Sequence, residues 1–65
     1  MENNLFLYRR KAKLRQLDIA RKIGVTEQTI SNFETGRTRT PLDTALRIAK
    51  FLEAEPEKVF PDLFT

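Results

Sequence analysis

Four polar residues in a row, Thr26-Glu27-Gln28-Thr29, sit between Val25 and Ile30, with Asn32 a little further on. Their groups are hydroxyls, a carboxylate and primary amides, which suit hydrogen bonding to another molecule more than bond-breaking. An amide such as that of Gln28 offers a donor beside an acceptor, the pattern that pairs bidentately with adenine N6 and N7. Thr29 could touch a thymine methyl or a phosphate, and Asn32 a base or a phosphate. Glu27 could accept from cytosine N4 or stabilise a helix start. Catalysis has little to work with. The chain contains no histidine and no cysteine, so it lacks the commonest general base, a thiol nucleophile, the usual zinc ligands and any disulfide. It has no glycine-rich phosphate loop, and no pair of acids that the expected fold brings into a cleft. No enzymatic activity, metal, cofactor or small-molecule ligand is expected.

Charge is distributed unevenly. From Arg9 to Arg39 there are nine basic residues against Asp18, Glu27 and Glu34, a balance of +6. From Thr40 onward three basic residues face five acids, a balance of −2. The first part attracts polyanions and the second does not. Sixty-five residues make one small domain, near the lower limit at which an apolar core holds a fold by itself. No run approaches the ~18 apolar residues of a membrane span, and the first residues carry an acid where a signal peptide is basic. A cytoplasmic protein without a membrane partner is expected.

The elements that must position the polar block read as helices. Leu5, Tyr8 and Ala12 recur at helical spacing behind Asn3 or Asn4 as N-cap. A second helix over Gln16–Ile23 ends at Gly24, and a third over Glu27–Glu34 starts from Thr26 as N-cap. Thr40-Pro41-Leu42-Asp43 reads as a capped start with proline at the first helical position. The fourth helix then runs from Leu42 to about Leu52 and buries Leu42, Ala45, Ile48, Ala49 and Leu52. Pro56 opens a last short helix through Phe60. β-Branched residues never alternate over a useful length, so the expected class is all-α, with five helices.

The second and third helices explain the block. Small Ala20 allows close approach, Gly24 permits a sharp turn, and Ile30 and Phe33 pack back on Ile19 and Ile23. Glu27, Gln28, Thr29 and Asn32 must then face outward on the second helix of the pair. This is the helix-turn-helix arrangement, over about residues 16–35, whose second helix lies in the DNA major groove.

The chain resembles the Cro and phage-repressor (XRE-type) helix-turn-helix domains, which share the lambda-repressor-like fold. Tyr8-Arg9, Leu14, Gln16, Ile19-Ala20, Ile23-Gly24, Val25-Thr26, Ile30, Phe33-Glu34, Gly36, Ile48-Ala49, Leu52 and Val59-Phe60 carry the resemblance. It implies a phosphate contact from Gln16, base reading by Gln28, Thr29 and Asn32, and a backbone strap made of Arg37, Thr38, Arg39 and Thr40. Arg10 joins the phosphate-binding set as part of the basic field. The resemblance also implies a partly buried structural ion pair, Arg9–Glu34. Departures are Arg15 in place of a serine or threonine cap, Glu27 in place of a neutral polar residue, and Glu53 where a glycine is common.

The function expected is a sequence-specific double-stranded DNA-binding regulator, a repressor acting as a homodimer on a two-fold operator. Phe60, Leu63 and Phe64 are assigned to the dimer interface, because so many large apolar groups near an exposed end call for cover. The alternative is an antitoxin-like module for a protein partner, signalled by Phe6, Leu7, Leu17 and Phe64, which DNA binding does not need.

Overall fold

Glycine decides where two of the helices stop. The computed structural model describes residues 3–64. In it α1 spans Leu5–Lys11, α2 Gln16–Ile23, α3 Glu27–Thr35, α4 Leu42–Phe51 and α5 Pro56–Val59, followed by a 3-10 turn at Pro61–Leu63. No strand occurs among the described residues. Gly24 closes α2 at φ +86° and Gly36 closes α3 at φ +77°, left-handed conformations that cost a side-chain-bearing residue about 1–2 kcal/mol.

The helix starts are held by different means. Thr26 Oγ1 accepts from the Thr29 backbone N–H at 3.1 Å, the N-cap bond expected of it. Arg15 cannot accept such a bond. Instead Asp18, in the first turn of α2, accepts from the Arg15 backbone N–H at 2.8 Å and from its guanidinium at 2.9 Å. That is the reciprocal half of a capping box, with the acid one turn into the helix. At α1, Asn3 supplies the cap: its Oδ1 accepts from Leu5 N at 3.0 Å, while its Nδ2 donates to Phe33 O at 2.9 Å. Asn4 follows with its backbone N–H on Val59 O and its Nδ2 on Lys58 O. The chain start is thereby tied to the ends of α3 and α5.

All five helices bury one side in a single core. Leu5, Ile19, Ile30, Ile48, Val59 and Phe60 are fully buried, with Ala20, Ala45 and Ala49 filling close approaches and Ile23 and Phe33 at the margin. Each large side chain among them contributes roughly 1.5–3 kcal/mol by leaving water. α2 packs on both α3 and α4, so α3 is braced from behind while its other side faces outward.

Three expectations change. Pro41 precedes α4 as its N-cap residue instead of opening it. Leu42, expected in the core, is 53% exposed: it stands in the first turn of α4, at the edge of the face through which Ala45, Ile48 and Ala49 pack. Phe60, assigned to a dimer interface, is fully buried between the helices and presents no surface to a second copy. The 3-10 turn after it folds Leu63 back onto the core, so of the three interface residues only Phe64 stands exposed.

Candidate nucleic-acid interface

On the outer side of α3 the polar block becomes an ordered surface. Gln28 is exposed, and its Nε2 donates to Asn32 Oδ1 at 3.0 Å, one helical turn on. The bond couples two amides and leaves Gln28 Oε1 and the Asn32 Nδ2 group without a hydrogen-bond partner among the described residues. Thr29 is half-buried, and its hydroxyl lies 2.9 Å from Thr26 Oγ1, so its polar atom serves the helix start. Glu27 is exposed in the first turn of α3, where the helix dipole favours an acid.

Beside this surface runs a basic groove of about 550 Å³. The end of α1 gives it Arg9 and Arg10, the following turn Lys13, Leu14 and Arg15, and the helix starts Gln16 and Glu27. Four cations thus gather where the starts of α2 and α3 meet, with Glu27 as the one acid in the lining; Arg9 and Arg15 are also paired, with Glu34 and Asp18. Neither Lys13 nor Arg15 is among the site residues expected from the sequence, where Arg15 figures only as a replaced cap. The turn between α1 and α2, with Lys13 in a left-handed conformation at φ +59°, delivers them to the groove. A basic residue in a tight turn before the motif was the signal available.

Three residues singled out in the sequence, Arg9, Glu34 and Gln16, serve the scaffold beneath this surface. Arg9 Nε donates to Glu34 Oε2 at 2.6 Å and Arg9 Nη2 to Glu34 Oε1 at 3.3 Å, with both side chains almost wholly buried. Arg9 Nη1 caps the Leu14 carbonyl at 2.9 Å, which fixes the turn that carries the groove. Gln16 joins the same network: its Nε2 donates to Glu34 Oε1 at 3.0 Å. The Gln16 amide is therefore pointed inward, and the first turn of α2 presents its leading backbone N–H groups, which have no intrahelical partner.

After Gly36 the strap begins. Arg37, Thr38 and Arg39 are exposed, and Thr38 N donates to Asn32 O at 3.3 Å, pinning the strap to α3. Thr40 differs from its neighbours. It is 3% exposed and its hydroxyl has no hydrogen-bond partner among the described residues. Of the four positions expected in the strap, 37–39 are thus exposed and Thr40 is folded under them.

Electrostatics reinforce the cap. The side-chain hydrogen bond from Arg15 holds the Asp18 carboxyl below the usual carboxylate range, and the same bond raises the Arg15 guanidinium. Phe6, which signals the protein-partner alternative in the sequence, lies under two cations: the Arg9 and Arg10 guanidinium carbons sit 5.3 Å and 5.4 Å from its ring centre.

A family model described as helix-turn-helix matches residues 5–59. An uncharacterized HTH-type transcriptional regulator of Methanocaldococcus jannaschii is 42% identical over 60 residues, covering 92% of this chain and 91% of the relative. Antitoxin HipB of Escherichia coli is 38% identical over 53 residues, covering 82% of this chain and 60% of HipB. No helix among the described residues is long and apolar enough to cross a membrane.

Proposed function

The chain belongs to the helix-turn-helix family, and on that premise we propose that it is a sequence-specific double-stranded DNA-binding repressor that acts as a homodimer on a two-fold operator. The observation that carries the reading is the coupled amide pair Gln28–Asn32, presented on α3 between a basic groove and a basic strap. Gln28 reads a base edge and Asn32 steadies it or adds a second contact. Arg10, the first turn of α2 at Gln16, Arg37, Thr38 and Arg39 hold phosphates. Glu27 and Thr29 act first as the start of α3 and only secondarily on bases; Thr40 supports the strap from below.

One such helix reads few base pairs, so specificity calls for two half-sites about 34–36 Å apart on one face of the duplex. The domain, 28 Å in its longest extent, is shorter than that spacing, so two copies on one face of the duplex would meet only through side chains that reach across the gap. Leu42 and Leu46, 53% and 45% exposed one turn apart just after the strap, supply the apolar surface for that contact, with Phe64 as a further candidate. This replaces the Phe60-centred interface.

The test is binding to duplexes selected from a random pool, titrated against salt. Gln28→Ala is expected to cost about 1–3 kcal/mol on the selected site and little on random duplex. Arg39→Ala should weaken both alike and lower the salt slope by about one unit. A wild-type slope near zero refutes DNA binding. Monomeric sedimentation on the selected site refutes the dimer alone. The similarity to antitoxin HipB favours a second reading, in which a protein partner also binds the domain.

A further inference from the structure

A second basic pocket lies between α2 and α4, apart from every residue assigned to DNA. Lys22, Arg47 and Lys50 surround a cavity of about 480 Å³ whose floor is Ile23 and Phe51. Lys22 Nζ stands 5.8 Å from the centre of the Phe51 ring. No carboxylate lines the pocket. Among the described residues none of its three cations enters an ion pair, whereas Arg9, Arg15 and Lys58 each have an acid. Lys22 lies six residues along α2 from Gln16, roughly 9 Å further along the helix axis at about 1.5 Å per residue. α3 and the strap contribute nothing to it.

We propose that this pocket docks an acidic segment of a partner protein, several carboxylates flanking one apolar side chain. Charge complementarity selects the occupant: three converging cations attract clustered acids and speed their encounter, while Ile23 and Phe51 take the apolar anchor. A free small anion fits poorly, because pockets that retain small ligands enclose most of their surface and this one is open with only two apolar walls. The arrangement leaves the α3 surface uncovered, so partner and DNA can be bound by one domain at different places. The proposal goes beyond the DNA reading and stands or falls without it.

The test uses the full, isotope-labelled chain and a short peptide of glutamates flanking one phenylalanine, with the glutamine version of that peptide as control. The acidic peptide is expected to shift the amide resonances of Lys22, Ile23, Arg47, Lys50 and Phe51, and to leave those of Gln28 and Arg37–Arg39 in place. Arg47→Glu with Lys50→Glu should weaken the peptide by about tenfold or more, since close charge pairs at an interface couple strongly. Lys22→Gln with Lys50→Gln should weaken it less. Duplex DNA binding measured on the same proteins should weaken far less than peptide binding, by no more than the general loss of positive charge accounts for. The proposal is overturned if the control peptide binds as well, or if the shifts centre on the strap. It is also overturned if sodium benzoate displaces the peptide at equal concentration, or if the charge reversal weakens DNA and peptide alike. Failure of wild type to bind DNA while the peptide results hold would remove the DNA reading and leave this one intact.

Discussion

Replacing Glu34 with alanine tests whether the buried network, and not merely the apolar core, holds the DNA-facing elements together. Glu34 accepts three hydrogen bonds, from Arg9 Nε at 2.6 Å, Arg9 Nη2 at 3.3 Å and Gln16 Nε2 at 3.0 Å. Its side chain is 4% exposed and that of Arg9 10%. Glu34→Ala therefore leaves a guanidinium with two unpaired donors where water barely reaches, its one remaining partner being Leu14 O. Stranding a buried charge in this way costs about 3–5 kcal/mol. A domain of this size holds only about 3–10 kcal/mol in total, at 0.05–0.15 kcal/mol per residue. The variant should thus lose from about a third to all of its stability and melt about 4–8 °C lower for each kcal/mol lost. Urea titration followed by far-UV circular dichroism gives the loss directly, provided the slope against urea is unchanged. The companion variant Arg9→Met with Glu34→Leu removes both charges and should recover most of it, to within about 2 kcal/mol of wild type, because apolar replacement of a whole buried pair is often neutral. A cost below about 1 kcal/mol for Glu34→Ala would refute the reasoning, since exposed pairs contribute that little. A double variant as damaged as the single one would refute it differently, by showing that shape and not charge is what Glu34 supplies.

Three further outcomes follow from local geometry. Thr40→Val exchanges a buried hydroxyl without a partner for a methyl, and should raise stability by up to about 1–3 kcal/mol by urea titration; a loss would mean that the hydroxyl is satisfied. Asp18 has its carboxyl held below the ordinary range by Arg15, so its stabilisation is present above the unfolded-state value and fades as pH falls through the lowered folded one. Asp18→Asn should consequently lower the urea midpoint at neutral pH and do so progressively less in acid, and a pH-independent deficit would contradict this. Glu53, at φ +54°, holds a left-handed conformation with a side chain attached; Glu53→Gly should relieve about 1 kcal/mol of strain in thermal melts, whereas Gly24→Ala, at φ +86° with open space around it, should cost about 1–2 kcal/mol from the backbone alone.

The amino-acid sequence by itself determined the helices and most of their ends, because those depend on neighbours a few residues away. Gly24 and Gly36 stop α2 and α3, Thr26 starts α3, and the 3.6-residue recurrence of Ile19, Ile23, Ile30 and Phe33 sets which side turns inward. The same local logic left Glu27, Gln28 and Asn32 outside. What it did not determine is which apolar residue meets another helix and which meets water. Leu42 and Phe60 were both equally apolar candidates. The packing of α4 through its alanines left the first exposed, and the fold-back at Pro61–Leu63 buried the second. Of the polar partners across the chain, the resemblance supplied Arg9–Glu34, and the others were illegible. Asn3 reaches Phe33 O thirty residues away, and Gln16 turns in to Glu34 instead of out to a phosphate. The α2–α4 pocket is illegible for the same reason, since Lys22 and Arg47 become neighbours only once those helices pack. Periodicity assigns a residue to a side of its own helix. Only the packing of helix on helix decides what that side faces, and so which charges are satisfied within the domain and which are left for a partner.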